Sequence, residues 1–380
     1  MSPEKRRYYE ITPQDVQAAV VSELEAEDND KKEFIGAHIP HLDLDYIDVE
    51  TDNQYPIDFR DTTIETGISA AHARFEERVD LRNSTIGGLH VPNCTFEDGL
   101  LASEAVFTDV VSLSETTFDG DLVDFTGAIF ERSLVGEKVT FAVDVSFRNV
   151  EFRHTVSFDG AWFTEQASTI DDNVDFEHAI FHDTASFRHT SFYHTSFQEV
   201  TFHDTAVFEQ ATANGTLRLS GSVFHAEADF DELHCEKDIS FSNVVFNGEA
   251  FFRGVSVAGG TDVLADDFSI ANATFEKKAT FEHGTFGFTN AKGAEFSTCV
   301  SFERTTFTDD AVFIDVTFDD TADFDEVIFD GDVEFTDSVF REDAVFRGSE
   351  FNGGTNYLES DVVFDTVTFT HPAKLSNTDI

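Results

Sequence analysis

The sequence predicts an all-β solenoid built from very short extended pieces, and three observations carry that reading. The first is a phenylalanine ruler. From Phe296 the series runs Phe302, Phe307, Phe313, Phe318, Phe324, Phe329, Phe335, Phe340, Phe346 and Phe351, in steps that alternate six and five without a miss. With 44 Phe in 380 residues, such a run arises by chance with a probability on the order of 10^-10, so the period is a property of the fold. Steps of five and six match neither the 3.6-residue helical face nor the two-residue strand face; they describe a chain that turns a corner after each short extended piece.

The second observation is the residue two before each Phe. Val300, Thr305, Ala311, Val316, Ala322, Val327, Val333, Ser338, Ala344 and Ser349 are all small or β-branched. In an extended piece residues i−2 and i point to the same side, so a small residue and a ring enter the core together while the residue between them faces solvent. The third is the set of residues in the two positions after most rings: Asp, Glu, Arg, Asn, Thr and Gly, as in Phe329-Asp330-Gly331 and Phe351-Asn352-Gly353. These are corner residues.

This A/S/V-x-F-x-x pattern resembles the pentapeptide-repeat family, in its Phe-centred branch with alternating five- and six-residue units. The resemblance implies a right-handed quadrilateral β-helix in which four units make one coil, here of about 22 residues. The frame extends upstream through Phe34, Ile39, Leu44, Val49, Phe59, Ile64, Phe75, Leu81, Ile86, Val91, Phe96, Leu101, Phe107, Leu113 and Phe118, and downstream to Phe364, Phe369, Leu375 and Ile380. The expectation is two regions: residues 1–33 as an N-terminal helical extension and 34–380 as one β-helix of about 16 coils, a rod about 75 Å long at strand spacing.

Before the solenoid, Thr12-Pro13-Gln14-Asp15 reads as an N-cap with proline at the first helical position, and Val16, Ala19, Val20 and Leu24 then fall on one helical face. A helix there protects the first coil from edge pairing. The neighbouring Lys5, Arg6 and Arg7 read as a solvated basic terminus. Ile380 falls on the inward frame with no cover after it, so the expectation is either an end-to-end homodimer through the C-terminal coil or a further domain that follows it. Register slips at Phe163 to Phe176, Phe208 to Leu219 and Phe252 to Phe275 read as loops at corners.

Composition bounds the chemistry. Lys and Arg total 24 against 75 Asp and Glu, a formal charge of −51. Such a surface repels phosphate backbones, so no direct nucleic-acid binding is expected. The three cysteines form no disulfide framework: Cys235 holds a ring position and Cys94 lies two before Phe96, so both read as buried, while Cys299 reads as exposed. No apolar signal core follows the N-terminal basic residues and no stretch reaches 18 apolar residues, which reads as a cytoplasmic chain with no membrane segment. A filled square rod has no internal concavity, and no GxSxG, Walker, HExxH or GxGxxG motif occurs in a suitable context, so the chain reads as non-enzymatic, with no catalytic residues and no cofactor.

What remains is the outside. Trp162, Tyr193 and Phe251 sit beside frame positions and point outward, the best aromatic candidates for a contact patch with an unidentified protein partner. His182 follows Phe181 and His203 follows Phe202, four units later, so the two imidazoles should lie about 5 Å apart on one face. His154 and His178 bear the same relation if Ile170 fills a unit. Such pairs beside Asp183 and Asp204 have donors suited to Zn²⁺, but read first as polar corner residues, and no metal site is assigned. The charge has two readings. Acids such as Asp309, Asp310, Asp315, Asp319, Asp320, Asp323, Asp325 and Glu326 occupy successive faces, with Lys nine against Arg 15, as in a salt-adapted protein of a halophile. Resemblance to the fluoroquinolone-resistance members of the family implies the other, a DNA-mimicking rod that occupies gyrase: duplex of about 75 Å carries about 44 charges.

Overall fold

The computed structural model describes residues 13–24, 32–49, 55–164, 174–259, 266–353, 362–376 and 378. One helix, Pro13–Leu24, precedes a succession of two- and three-residue strands. Each strand pairs in parallel with the strand four further along the chain, which yields four sheets of 15, 14, 14 and 14 strands. We number these faces in chain order from the strands that open them: His38–Ile39, Leu42–Asp43, Asp48–Val49 and Ile57–Asp58. The result is a four-sided coil repeated through thirteen to fourteen turns.

Register explains the Phe ruler. Phe296 pairs with Phe318 and Phe318 with Phe340, each 22 residues on, so identical rings fall above one another at strand spacing. On the first face the stack runs unbroken from Phe107 to Phe369, with centroids 4.5–5.3 Å apart. Rings of opposite faces meet edge-on, as Phe324 of the second face does against Phe313 and Phe335 of the fourth, the other geometry that the aromatic quadrupole favours. The ten small residues two before the rings, Val300 to Ser349, are all buried as expected.

The alternation of five and six has a backbone cause. Five-residue steps leave the second and fourth faces through a corner residue with positive φ, for example Glu326 (53°), Asp315 (56°) or Gly348 (67°), and a four-residue turn closes when Val327 N–H donates to Phe324 C=O at 3.4 Å. Six-residue steps leave the first and third faces with one more residue, and there an aspartate caps the turn: Asp204 Oδ1 accepts from Thr205 N–H at 2.7 Å, Asp320 Oδ1 from Thr321 N–H at 2.7 Å and Asp309 Oδ1 from Asp310 N–H at 2.8 Å. Much of the aspartate content is thus turn chemistry.

Buried hydroxyls follow the same two-fold logic. Ser84, Ser222 and Ser338 enter the core on the first face, and Thr190, Thr305 and Ser349 on the third; each donates to a carbonyl of the coil below, at 2.5–2.8 Å. Cys94 does the same with its thiol toward Ala70 C=O.

The helix covers the first coil, packing on the strands His38–Ile39 and Leu42–Asp43. Val20 and Leu24 are buried and Val21 packs beside them. Ala19, expected on that face, points to solvent, because at 100° per residue the buried stripe is centred between Val20 and Val21 and leaves Ala19 beyond its edge.

Three expectations change. The rod has fewer coils than 16 and is about 65 Å long at strand spacing, because some coils consume many residues: Glu151 pairs with Ile180, Val245 with Thr274 and Val339 with Thr368, each 29 residues on. Phe208 to Leu219 is not a slip, since buried Ala213 holds the ring position, paired with Phe192 and Cys235. The breaks at 163–176 and 252–275 have residues 165–173 and 260–265 outside the described ones, and two more exist, around 50–54 and 354–361. All four lie between a third-face and a fourth-face strand. The last three long coils begin 94 residues apart, and the sequence repeats at that offset: Ala228-Asp229-Phe230-Asp231-Glu232 returns as Ala322-Asp323-Phe324-Asp325-Glu326, and Gly259-Gly260-Thr261 as Gly353-Gly354-Thr355. A four-coil block is therefore internally duplicated.

The hydroxyl ladder is directly testable. Ser222 Oγ donates to Phe197 C=O and accepts from Val200 N–H at 2.9 Å. Ser222→Ala leaves both backbone groups buried and unpaired and should cost about 2 kcal/mol, read as a lower urea midpoint; an unchanged midpoint rejects this role for the interior hydroxyls.

Candidate interaction surface

Because rings and small residues fill each coil, only residues flanking the rings reach solvent. Trp162 and Tyr193 stand on the third face: Trp162 lies between Thr140 and Ser191 in the strand register and is 58% exposed. Tyr193 is half-buried, with its ring edge-on to His194 at 4.6 Å. Phe251 is on the second face, between Asp229 and Thr280, half-buried under the Arg253 guanidinium at 5.1 Å. The three aromatics therefore share no single patch.

His182 and His203 lie on the first face with centroids 5.1 Å apart and rings 12° from parallel. Sequence reasoning overlooked the next rung. His225, which follows Phe224, stacks on His203 at 5.0 Å and 5°, and the step from Phe202 to Phe224 was its signal. Burial first, then the neighbouring His225 and His182, push the His203 imidazole below its ordinary pKa. Glu151 Oε1 accepts from His182 Nε2 at 3.0 Å. The carboxyl of Glu151 is held below its usual range mainly by the hydrogen bond from Arg153, against an opposing effect of burial, with His182 adding to the lowering.

His154 and His178 do not stack. Glu151 and Phe152 pair with Ile180 and Phe181, which places Asp183 beside His154 at 3.8 Å. His178 instead sits at a positive-φ corner after the fourth face, 3.3 Å from Glu199. Ile170, invoked to relate them, lies outside the described residues.

The cysteines are buried at positions 94 and 235, where burial pushes the Cys94 thiol up to about 12 and raises Cys235 as well. Both are poor nucleophiles. Cys299 is half-buried rather than exposed, because its position three before Phe302 lies on a corner flanked by the coil's own turns.

Acids occupy all four faces, but in two electrostatic settings. Asp58 and Asp80 are buried at the N-terminal end of the rod and gripped by Arg60 and Arg82, with Nη2–Oδ2 distances of 2.7 and 2.6 Å. Burial works to raise the Asp58 pKa, yet the Arg60 hydrogen bonds and charge hold it below its ordinary value. Asp175, Asp229, Asp310 and Asp323 go the other way: burial leads, nearby carboxylates add to it, and all four are raised.

A depression of about 360 Å³ is open to solvent on the fourth face and lined by Arg218, Asp238, Ser240, Ser242, Asp266 and Ser269 among others. Its hydroxyls bond one another, Ser220 to Ser240 at 2.9 Å and Ser242 to Ser269 at 2.9 Å, which is a sheet-surface network rather than an activated nucleophile. Among the described residues, no three His, Cys, Asp or Glu converge on one metal position, and no helix is long and apolar enough to cross a membrane.

Residues 187–234, 291–339 and 313–357 match the family model described as pentapeptide repeats (9 copies). Among solved structures the chain is similar to HetL, a pentapeptide repeat protein involved in heterocyst differentiation regulation from the cyanobacterium Nostoc sp. strain PCC 7120. The identity is 13% over 70% of this chain and 86% of that one, with a TM-score of 0.20. No curated protein matches the chain. The four parallel sheets and the register of their rings give this chain the quadrilateral β-helix of the pentapeptide-repeat fold behind one short helix, and the pentapeptide repeats matched within it cover less than half of the chain.

Proposed function

We propose that this chain is a non-enzymatic, salt-adapted scaffold of a halophile's cytoplasm that binds a protein partner through its outer faces. The observation that carries this is the filled interior: every coil spends its inward positions on packing, so recognition is left to flat outer faces. Trp162, Tyr193 and Phe251 are the aromatic contacts it offers, on two faces. Exposed Phe364 (41%) and Leu375 (54%) in the final described coils support an end-to-end homodimer there as a further contact; Ile380 itself lies outside the described residues.

Salt adaptation has a thermodynamic signature. A net charge of −51 opposes compaction through self-repulsion whose range falls from ~10 Å at 0.1 M salt to ~3 Å at 1 M. The melting temperature should rise steadily from low to molar KCl; a fall or no change rejects the salt reading. For pH, Asp175, Asp229, Asp310 and Asp323 have folded pKa values above their unfolded ones, so their contribution is favourable at low pH and is lost as pH rises through the raised values. Asp58, with a lowered value, contributes at neutral pH and loses that only below its unfolded pKa of 3.8. In low salt, stability should therefore rise as pH falls from 7 toward the carboxylate range and drop below it. A profile that shows no rise in stability before the acid drop overturns this.

A gyrase-directed DNA mimic is the second reading, favoured by a charge density along the rod close to that of duplex DNA. Acids on all four faces weigh against it, because a mimic needs two organised phosphate-like rows. A supercoiling assay with the chain titrated in separates them: sub-micromolar inhibition, lost when acids of one face are neutralised, selects the mimic, and the scaffold reading expects no effect.

A further inference from the structure

We propose that His182, His203 and His225 form a surface site for a first-row divalent transition-metal ion, held by neighbouring imidazoles of the ladder with water completing its shell. The backbone builds the ladder: His203 N–H donates to Phe181 C=O at 2.8 Å and His225 N–H to Phe202 C=O at 2.9 Å, so the three rings rise from one column of three adjacent strands. Their centroids are 5.1 and 5.0 Å apart.

Two further observations prepare these rings as ligands. A metal needs an imidazole lone pair. At one end, the Glu151 carboxylate can only accept, so it fixes the proton of His182 on Nε2, 3.0 Å away, and leaves the lone pair on Nδ1. Glu151 is itself anchored by Arg153 at 3.0 Å. This is the carboxylate–histidine arrangement that orients metal-binding imidazoles and raises their basicity. At the other end Asn247 Nδ2 lies 3.2 Å from His225 Nδ1, a single amide hydrogen bond that a metal displaces.

Zinc–imidazole bonds are about 2.0–2.1 Å, so two rings near 5 Å apart must lean together to share an ion, which side chains on an open face can do. Since no three donors already converge among the described residues, the site works by pairs, and His203 belongs to both. Imidazole donors select Cu²⁺, Ni²⁺ and Zn²⁺ over Mg²⁺ and Ca²⁺, while the acidic rod raises the local concentration of any cation.

The test is isothermal titration of the untagged full chain, treated first with chelator, with Zn²⁺, Cu²⁺ and, as a control, Ca²⁺. One equivalent of Zn²⁺ or Cu²⁺ should bind at micromolar affinity against excess Ca²⁺. His203→Ala removes both pairs and should weaken binding by about tenfold or more; His182→Ala and His225→Ala each leave one pair and should weaken it less. His234→Ala, on the third face, should change nothing. The Cu²⁺ electron paramagnetic resonance spectrum should show nitrogen couplings that His203→Ala loses, with circular dichroism showing that each variant keeps the fold. Absence of heat with both metals, or binding undiminished in folded His203→Ala, overturns the site.

Discussion

The interaction on which the rest of this structure depends is the stacking of identical inward side chains at the spacing of a parallel β-ladder. Strand spacing is about 4.8 Å, and the face-to-face ring separations, such as 4.8 Å from Phe281 to Phe302 and 5.0 Å from Phe302 to Phe324, coincide with it. Backbone hydrogen bonds and ring packing are therefore satisfied by one geometry, repeated coil after coil. Neither needs the other to bend. A consequence is near one-dimensional cooperativity, in which each coil is stabilised chiefly by the coils above and below.

Filling the interior in this way dictates where function can lie. With the inward positions of the described coils spent on packing, the outer surface is made of the residues flanking each ring, and their arrangement is a lattice: one axis runs along the chain around a coil, the other runs up the rod at intervals of about 22 residues. Residues far apart in sequence become neighbours on the second axis. The Arg60–Asp80, Asp231–Arg253 and Asp325–Arg347 pairs and the histidine ladder are all products of it.

Charge follows the same division. Aspartate is recruited locally because it caps the six-residue corners, and the net charge of −51 is in part the sum of many such corners. Where an acid falls on a strand rather than a corner its environment decides its energetics. Asp58 next to Arg60 is stabilised as a carboxylate, whereas Asp229 and Asp323, in strand positions with acids nearby, are destabilised as carboxylates. Identical residue types thus pull the pH dependence in opposite directions.

The sequence by itself determined the architecture, because the period of Phe296 to Phe351 and the small residues two before each ring encode inward direction and corner position locally. It also determined which residues face out, and the 5 Å spacing of His182 and His203. Other features depended on contacts between coils. Ala213 in a ring position and the missing stack of His154 and His178 were illegible because each depends on which strand pairs with which, a register that the breaks between the third and fourth faces reset. The Glu151 carboxylate that orients His182 and the dispersal of Trp162, Tyr193 and Phe251 over two faces were likewise decided only by the tertiary structure. Glu151 and His182 are 31 positions apart, and no local pattern aligns them until the coils are wound.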